Sequence, residues 1–380
     1  MKVAVATSGL GHVFRGMEGW AELLAEELSR SEIDVTLFRG ASPPKNEYDV
    51  CIPCIKRTSR MAKYLSKLNL IGGWRIGLGH PAQVETWSYG LSLLRHLRKD
   101  FDLVHVKQGQ LATFLTIAKK FRLLNIPFIL GNGQVTSPKF IATQDYVQFL
   151  SPIEKAKMEK TLGKNEHWFY VPNFVNTDQF SQCSKDACRK KLNIPLDSFV
   201  VLTVATIQKY HKRMDYFIEE MNILQQNYDL PLHVIMAGAV SPDTKLLVET
   251  AKKSLGSKIS VFVDLPKVQM PEIYNSADIF VLCSLREAFP NVLLEAMSCG
   301  ITAIHHNDPI LEWGAGDGGE SCDLRQKGVL AKTVYKYANN PKLLEIKGEA
   351  GKRRVVREFS KEVVISKMIE MYKKIISKTN

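Results

Sequence analysis

Two carboxylates lie in or beside a short segment that carries the sequence signals of a helix. Glu287 precedes the segment and Glu295 lies inside it. Pro290 favours the first turn of a helix, where its missing N–H would have no partner anyway. Gly300 favours the position just past the helix end. The sequence therefore predicts a helix over residues 290–299, beginning at the carboxyl end of a strand.

The start of this helix could bind an anion, because the first N–H groups of a helix have no carbonyl partner within it. We expect the backbone near Phe289, Pro290, Asn291 and Val292 to hold a diphosphate. Phosphate alone would not favour two neighbouring carboxylates. Carboxylates do accept hydrogen bonds from hydroxyl groups, so the segment indicates a ligand that carries a diphosphate together with sugar and ribose hydroxyls.

The elements that must position this segment are short apolar runs alternating with helical patterns. Most runs are continuous in Val and Ile, which is typical of parallel strands covered by helices on both faces. The predicted strands are residues 3–7, 33–38, 49–52, 103–106 and 127–130 in the first half, and 199–204, 233–237, 259–263, 278–283 and 302–305 in the second.

This alternation predicts an α/β protein with two Rossmann-like, doubly wound domains facing across a cleft. We place the first domain at residues 1–175, a linker region at 176–195 and the second domain at 196–358. A terminal packing helix is predicted over 359–376, and it could return to the first domain. Ligands of such sheets bind at the carboxyl ends of the strands.

A glycine-bearing turn with Gly9, Gly11 and Gly16 follows the first strand. Glycine lets the backbone approach a ligand closely, so Gly11 and His12 are candidate ligand contacts. The spacing is not the Gly-x-Gly-x-x-Gly dinucleotide fingerprint, which argues against a nicotinamide dehydrogenase. A tight turn without a ligand is the alternative interpretation.

The segment from Glu287 to Gly300 resembles the signature of GT-B retaining glycosyltransferases of family four. It reads Glu287-x7-Glu295, with Phe-Pro-Asn-Val between and Ala-Met-x-x-Gly after. Three other landmarks of the family occur in the same order along the chain. They are the stretch Val171-Pro172-Asn173 continuing to Phe180, the loop Tyr210-His211-Lys212-Arg213 where the family has Lys-Gly, and Pro271-x-x-Tyr274-x-x-Ala277-Asp278.

The resemblance implies that a hexose-type sugar moves from a nucleotide diphosphate sugar to an acceptor with retention of its anomeric configuration. Glu287 would then hold sugar hydroxyls and Glu295 the ribose. Lys212 and the amides of residues 289–292 would carry the diphosphate, and backbone near Val268 would grip the base. The nucleotide sugar is a substrate, so no cofactor is expected, and the absence of an acidic ligand cluster predicts metal-independent transfer.

The chain departs from the family pattern at the diphosphate cations. The family has an Arg in a Gly-Arg-Leu stretch before its Lys, whereas residues 205–209 read Ala-Thr-Ile-Gln-Lys. A second cation would have to come from Lys209 or Arg213. An Arg fork binds phosphate bidentately and a Lys does not, so this replacement affects the chemistry of the site.

A second departure lies in the first domain, where family members often carry a His after the strand near residue 130. Asn132 occupies this place; it could hydrogen-bond a sugar but cannot act as a base at neutral pH. His12 and His105 are the other histidines near strand ends. Two alternatives to a transferase stay open, namely a sugar-nucleotide epimerase of the same fold and a catalytically silent binding subunit.

The chain is basic, with 51 Lys+Arg against 39 Asp+Glu and a net charge of +12. Residues 50–99 hold nine of these cations and a single acid, Glu85. Met61, Leu65 and Leu68 recur there at helical spacing, and Trp74 follows. Segment 56–75 therefore predicts contact with an anionic membrane, where a glycan or a lipid-linked or cell-surface acceptor would be met. A solvated packing helix is the alternative, and nucleic acid is not expected.

The first residues do not read as a signal peptide, and no apolar stretch reaches the ~18 residues of a spanning helix. We therefore expect a cytoplasmic protein, with peripheral contact to the inner face of a membrane. Seven cysteines are scattered along the chain. Cys51-x-x-Cys54 has no second pair to complete a zinc site, so reduced thiols are expected.

Overall fold

The computed structural model describes residues 1–13, 16–97, 101–133 and 136–378. The chain forms two compact units. The first comprises Met1–Pro172 and Ile365–Asn380, and the second comprises Asn173–Val364.

The first unit is a parallel sheet with helices between its strands. Its strands are β1 (Lys2–Thr7), β2 (Asp34–Gly40), β3 (Asp49–Ile52), β4 (Leu103–Val106), β5 (Phe128–Asn132), β6 (Tyr146–Phe149) and β7 (Trp168–Tyr170). Its helices are α1 (Gly16–Ser29), α2 (Arg60–Leu65), α3 (Pro81–Leu97), α4 (Gly109–Lys120), α5 (Pro138–Ile141) and α6 (Pro152–Leu162). The strand order is β3-β2-β1-β4-β5-β6-β7.

The second unit repeats this architecture. Its strands are β8 (Phe199–Val204), β9 (Leu232–Gly238), β10 (Ile259–Val263), β11 (Ile279–Leu282), β12 (Thr302–His306) and β13 (Gly319–Cys322). Its helices are α7 (Lys185–Lys191), α8 (Met214–Asn227), α9 (Thr244–Leu255), α10 (Met270–Asn275), α11 (Asn291–Ser298), α12 (Pro309–Ala315), α13 (Val329–Ala338) and α14 (Pro341–Glu358). The last helix is α15 (Lys361–Ser377). The strand order is β10-β9-β8-β11-β12-β13.

The predicted fold class is confirmed, because every strand pair in both sheets is parallel. The continuous apolar runs are buried as expected; all of Val200 to Val204 in β8, for example, is inaccessible to solvent or nearly so. In each sheet the order reverses beside the first strand of the unit, at β1/β4 and at β8/β11. The loops at these two positions are where ligands bind in doubly wound sheets.

Sequence reasoning missed β6, β7 and β13, because these strands are short or polar. β6 contains Gln148, whose side chain is buried and donates to the carbonyl of Val171 at 2.8 Å. β7 has three residues. β13 is an edge strand whose Glu320 accepts a hydrogen bond from Tyr337 at 2.8 Å.

The assignment of residues 176–195 to a linker is wrong, because this stretch is a packed part of the second unit. It contains α7, and the Arg189 side chain of that helix is 4% exposed. Arg189 donates to the carbonyls of Ser276 and Ser198 at 2.9 Å and to Asp278 Oδ2 at 2.6 Å. The Arg189 guanidinium is thus satisfied by protein groups inside the second unit, which a hydropathy pattern does not reveal.

The terminal helix begins at Lys361 rather than at residue 359, and from Ile365 it belongs to the first unit. Tyr372 on this helix is fully buried, and its hydroxyl lies 2.6 Å from His105 Nδ1. The last helix therefore completes the core of the first unit.

The predicted amphipathic helix within segment 56–75 is short. It consists of α2 followed by 3₁₀ turns at Ser66–Ile71 and Gly73–Ile76, separated by Gly72 at φ 86°. Ala62 of α2 is buried, whereas Met61, Tyr64, Leu68 and Leu70 are exposed, Leu70 by 92%. The side chains of Ile71, Trp74 and Arg75 lie outside the described part of the structure, as do residues 98 and 99 of the basic stretch.

Candidate active site

Helix α11 follows β11 through the loop that carries Glu287, as the sequence predicts. Pro290 is the N-cap, one residue before the helix and not in its first turn, with φ −81° and ψ 127°. It has no N–H, so among residues 289–292 only the other three can offer amides. The Leu293 N–H bonds to the Pro290 carbonyl at 3.2 Å. Gly300 terminates the helix at φ 75°, a conformation that favours glycine.

Lys212 and Glu287 are brought together in the second unit. The Lys212 ammonium donates to Glu287 Oε1, and the side chains are only 18% and 11% exposed. His211 Nδ1 lies 3.9 Å from the same oxygen. A cation and a carboxylate are thus fixed beside the start of α11, in a partly desolvated place where both act more strongly on a bound charge than they would in water.

The two candidates for a second cation have different surroundings. Lys209 is exposed, and its backbone N–H donates to Asp243 Oδ2 at 3.0 Å. The Arg213 guanidinium instead donates to the carbonyl of Leu324 at 2.8 Å and to that of Cys283 at 3.4 Å. It also lies 4.2 Å from the centre of the Tyr216 ring. The structure therefore directs the Arg213 guanidinium to backbone carbonyls.

Glu295 is held by a tyrosine from α10. The Tyr274 hydroxyl donates to Glu295 Oε2 at 2.8 Å, and the tyrosine ring is fully buried against Phe180 and Phe280. Burial raises the pKa of Glu295, while Lys267 and the Tyr274 hydrogen bond oppose this rise. Sequence reasoning noted Tyr274 as a landmark but gave it no partner.

Phe289 contributes its backbone to the site and its side chain to the core. Its ring is buried against Trp313 and Phe359, at centroid distances of 5.0 and 5.1 Å. Its carbonyl accepts a hydrogen bond from Asn173 Nδ2 at 2.8 Å. Asn173 thereby fixes the peptide before the N-cap, a contact that no sequence pattern indicates because the two residues are 116 positions apart.

Two polar atoms near this helix start have no hydrogen-bond partner within the described residues. They are Ser284 Oγ, at the end of β11, and Asn291 Oδ1, in the first turn of α11. Both atoms are buried, and a buried polar atom left unpaired costs about 1–3 kcal/mol.

Val268, the predicted base contact, lies in a 3₁₀ turn at Lys267–Gln269 with its side chain 74% exposed.

The predicted residues of the glycine turn belong to the first unit, where they pack against protein groups. Gly11 has φ 95°, and a Cβ there would lie 2.3 Å from Ser42 Oγ. His12 Nε2 lies 2.8 Å from Glu85 Oε2. Glu85 is fully buried and also accepts from Ser8 Oγ at 3.0 Å and from Arg57 Nη2 at 2.5 Å. Arg57, one of the nine cations of residues 50–99, is therefore part of an internal ion-paired network. Residues 14 and 15 of the turn lie outside the described part of the structure.

Asn132 and His105 are also internal to the first unit. Asn132 is buried, with its Nδ2 donating to Glu154 Oε1 at 3.3 Å and its Oδ1 accepting from Thr136 at 3.1 Å. Burial, aided by the charge of Lys107, lowers the pKa of His105 to about 3. His105 is thus a neutral core residue that contacts Trp20 and Tyr372.

Within the described ranges, no group of three or more His, Cys, Asp or Glu residues is arranged to hold a metal ion. All seven cysteines are free thiols. In the same ranges, every helix is too short or too polar to cross a bilayer.

Parts of the chain are similar in sequence to known proteins. Residues 184–354 match the family described as glycosyl transferases group 1. An alpha-galactosylglucosyldiacylglycerol synthase of Streptococcus pneumoniae is 26% identical over 268 residues, which cover 66% of this chain and 67% of that protein.

Two solved structures share the fold over nearly their whole length. Sucrose-phosphate synthase from Thermosynechococcus elongatus matches with a TM-score of 0.80 at 17% identity, covering 99% of both chains. Anabaena Alr3699/HepE in complex with UDP-glucose matches with a TM-score of 0.75 at 12% identity, covering 98% of this chain and all of that one. The chain is therefore a glycosyltransferase of the GT-B fold whose residues 184–354, within the second unit, form a group 1 glycosyltransferase domain.

Proposed function

We propose that this glycosyltransferase moves a hexose from a nucleotide diphosphate sugar to a glycan or lipid-linked acceptor, with retention of the anomeric configuration and without a metal ion. The observation that carries the proposal is the Lys212–Glu287 pair beside the start of α11. A diphosphate leaving group gains negative charge as the glycosidic bond breaks, and fixed cations and amides stabilise such charge best.

Each residue that binds the nucleotide sugar then has a distinct role. Lys212 and the amides of Phe289, Asn291 and Val292 bind the diphosphate, with exposed Lys209 as the second cation. Glu287 accepts hydrogen bonds from sugar hydroxyls, and it shares Lys212 with the phosphate. The unpaired Asn291 Oδ1 and Ser284 Oγ are further polar groups that a sugar nucleotide could satisfy.

Glu295 and the turn at Lys267–Gln269 serve the nucleoside in this proposal. Glu295 accepts from the ribose hydroxyls in its ionised form, and Tyr274 orients its carboxylate. Backbone near Val268 contacts the base. Asn132 receives no catalytic role, because both ends of its amide are engaged within the first unit.

Retention rests on the resemblance of the Glu287–Gly300 segment to the retaining family. The donor is supported by HepE, whose structure was solved with UDP-glucose, and the acceptor by the pneumococcal relative, which is named as a glycolipid synthase.

For the acceptor we propose a cytoplasmic, membrane-peripheral location through segment 56–75. Lys56, Arg60, Lys63 and Lys67 are exposed there beside exposed Met61, Tyr64, Leu68 and Leu70. Cations attract the anionic cytoplasmic leaflet, and apolar side chains insert below its headgroups.

The test is a transfer assay on the purified full chain with UDP-, GDP- and ADP-glucose and vesicles containing diacylglycerol or a glycosyldiacylglycerol. We expect one nucleotide to give a glycolipid with the donor's anomeric configuration by NMR, and EDTA to leave the rate unchanged. An inverted product would refute retention. Nucleotide release that needs no acceptor would indicate an epimerase or a hydrolase, and absence of donor binding would refute the proposed donor site.

A further inference from the structure

Arg213 has a backbone conformation that ordinary residues avoid. Its φ of 52° and ψ of 44° are left-handed, at the N-cap of α8. A residue with a Cβ is strained in this region relative to the right-handed conformation, and glycine is the residue that adopts it readily. Such strain persists where the surrounding contacts offset it.

The Arg213 side chain joins three loops of the second unit. Its Nη1 donates to the carbonyl of Leu324, after β13, at 2.8 Å and to that of Cys283, after β11, at 3.4 Å. Its Cζ packs over the Tyr216 ring at 4.2 Å. Hydrogen bonds from a charged donor are stronger than those between neutral groups, and these contacts offset the backbone strain.

The loop from which Arg213 projects is closed by its own backbone. The Arg213 N–H bonds to the Lys209 carbonyl at 3.0 Å, and the Met214 N–H bonds to that of Gln208 at 3.2 Å. Lys212 is the adjacent residue, and its ammonium donates a hydrogen bond to Glu287 Oε1. Cys283 in turn precedes the loop that carries Glu287.

We propose that Arg213 is a positioning residue that ties the Lys212 loop to the Glu287 loop, and so sets the place of the Lys212 ammonium for the diphosphate. It acts through Lys212 and does not itself bind phosphate. The consequence for donor binding rests on the proposed function, whereas the tie between the loops does not.

The first experiment measures the tie without any ligand. Hydrogen–deuterium exchange is compared between the wild type and the variants Arg213→Gly and Arg213→Lys. Glycine suits the left-handed backbone and removes the guanidinium; lysine keeps the charge but cannot make the same planar fork. We expect exchange to rise at least about tenfold in residues 208–214 and 284–290 and to be unchanged in β9 and β12 in both variants. Exchange unchanged in these two loops would overturn the proposal.

The second experiment compares the Arg213 variants, Lys212→Ala and the double variants. Calorimetry gives the affinity for UDP, GDP and ADP, and transfer assays give kcat and the KM of the sugar donor. A small displacement of a binding group can cost one to two orders of magnitude, so we expect each Arg213 variant to weaken binding about tenfold. In the Lys212→Ala background the same change should weaken it less than twofold. Arg357→Lys, an exposed substitution on α14, is the control.

Three outcomes separate the possibilities. If the losses of nucleotide affinity in the single variants multiply in the double variant, or if Arg213→Lys keeps the full affinity, then Arg213 binds phosphate directly. Either result would overturn the proposal. A lower Tm with unchanged donor KM would leave only a structural role and would overturn it as well. A wild type that binds none of the three nucleotides would refute the proposed function, while the exchange data would still decide whether Arg213 ties the loops.

Discussion

The Lys212 ammonium and the Glu287 carboxylate form an ion pair within the second unit although 75 residues separate them in the chain. Each residue lies in a loop that follows a strand, β8 for Lys212 and β11 for Glu287. These strands are neighbours in the sheet, so parallel pairing brings their carboxyl ends, and the two loops, together.

Replacing Glu287 by Gln removes the charge while keeping the size of the side chain. We expect kcat/KM to fall by about 10²–10³-fold, the usual loss when one preorganised polar group at a reacting centre is removed. Glu249→Gln, an exposed change on α9, is the control and should leave kcat/KM unchanged. Full transfer activity in Glu287→Gln would remove this residue from the site.

Replacing Lys212 by Ala removes the main cation proposed for the diphosphate. A charge-assisted hydrogen bond is worth about 1.5–3 kcal/mol, so we expect donor affinity to fall about 10–100-fold in calorimetric titrations. Exposed Lys253→Ala on α9 should have no effect. An unchanged donor affinity in Lys212→Ala would show that the diphosphate binds elsewhere.

Replacing Tyr274 by Phe removes the hydrogen bond that opposes the raised pKa of Glu295. The pKa of Glu295 should then rise further, since burial remains and the stabilisation of the carboxylate is lost. If ionised Glu295 binds the ribose, the loss of donor affinity on acidification will begin at a higher pH than in the wild type. The affinity is measured from pH 4.5 to 8.5.

Tyr228→Phe at the C-cap of α8 is the control for the pH profile. The raised pKa of Glu295 also affects the stability of the fold, because the folded chain favours the neutral form of this carboxyl group. Its contribution to the free energy of unfolding is therefore present at low pH and is lost as the pH rises through the raised pKa. Identical pH profiles for Tyr274→Phe and the wild type would contradict the ribose role of Glu295.

Glu85 in the first unit gives a prediction about stability. Burial by itself would raise its pKa, but hydrogen bonds from His12 and Arg57 outweigh burial and lower the pKa to about 2. Breaking a buried ion pair costs about 3–5 kcal/mol, so Glu85→Gln should lower the Tm of the first unit by about 10 °C.

The pH dependence checks the origin of this effect. A lowered pKa means that the carboxylate of Glu85 stabilises the fold above its ordinary pKa, and that this stabilisation is lost as the pH falls towards about 2. The Tm difference between wild type and Glu85→Gln should therefore shrink between pH 5 and 3 by calorimetry. Glu32→Gln, which is exposed, should show no such difference at any pH.

Segment 56–75 gives a prediction about membranes. Reversing Lys63 and Lys67 to Glu should reduce co-sedimentation with vesicles of 30% anionic lipid at least about tenfold, since each juxtamembrane cation contributes about 1 kcal/mol. The pair Lys252→Glu and Lys253→Glu on α9 is the matched control in the other unit. Equally weak wild-type binding to neutral and anionic vesicles would contradict membrane docking.

The sequence by itself determined the fold class and the helix that starts after β11. Continuous apolar runs predict parallel strands because both of their faces are buried, and Pro290 and Gly300 mark a helix through backbone constraints that act locally. The placement of Glu287 before this helix and of Glu295 within it was also visible, because both residues lie in one short segment.

Only the tertiary structure decided which side chains are partners. The structure makes contacts between different elements of the chain that no local pattern shows. They join Asn173 to Phe289, Tyr274 to Glu295 and Arg213 to two distant carbonyls. A polar residue in a sequence pattern does not reveal whether water or a buried partner satisfies it. That is why residues 176–195 resembled a linker, Arg57 resembled a surface cation and Arg213 resembled a phosphate ligand until the fold supplied their partners.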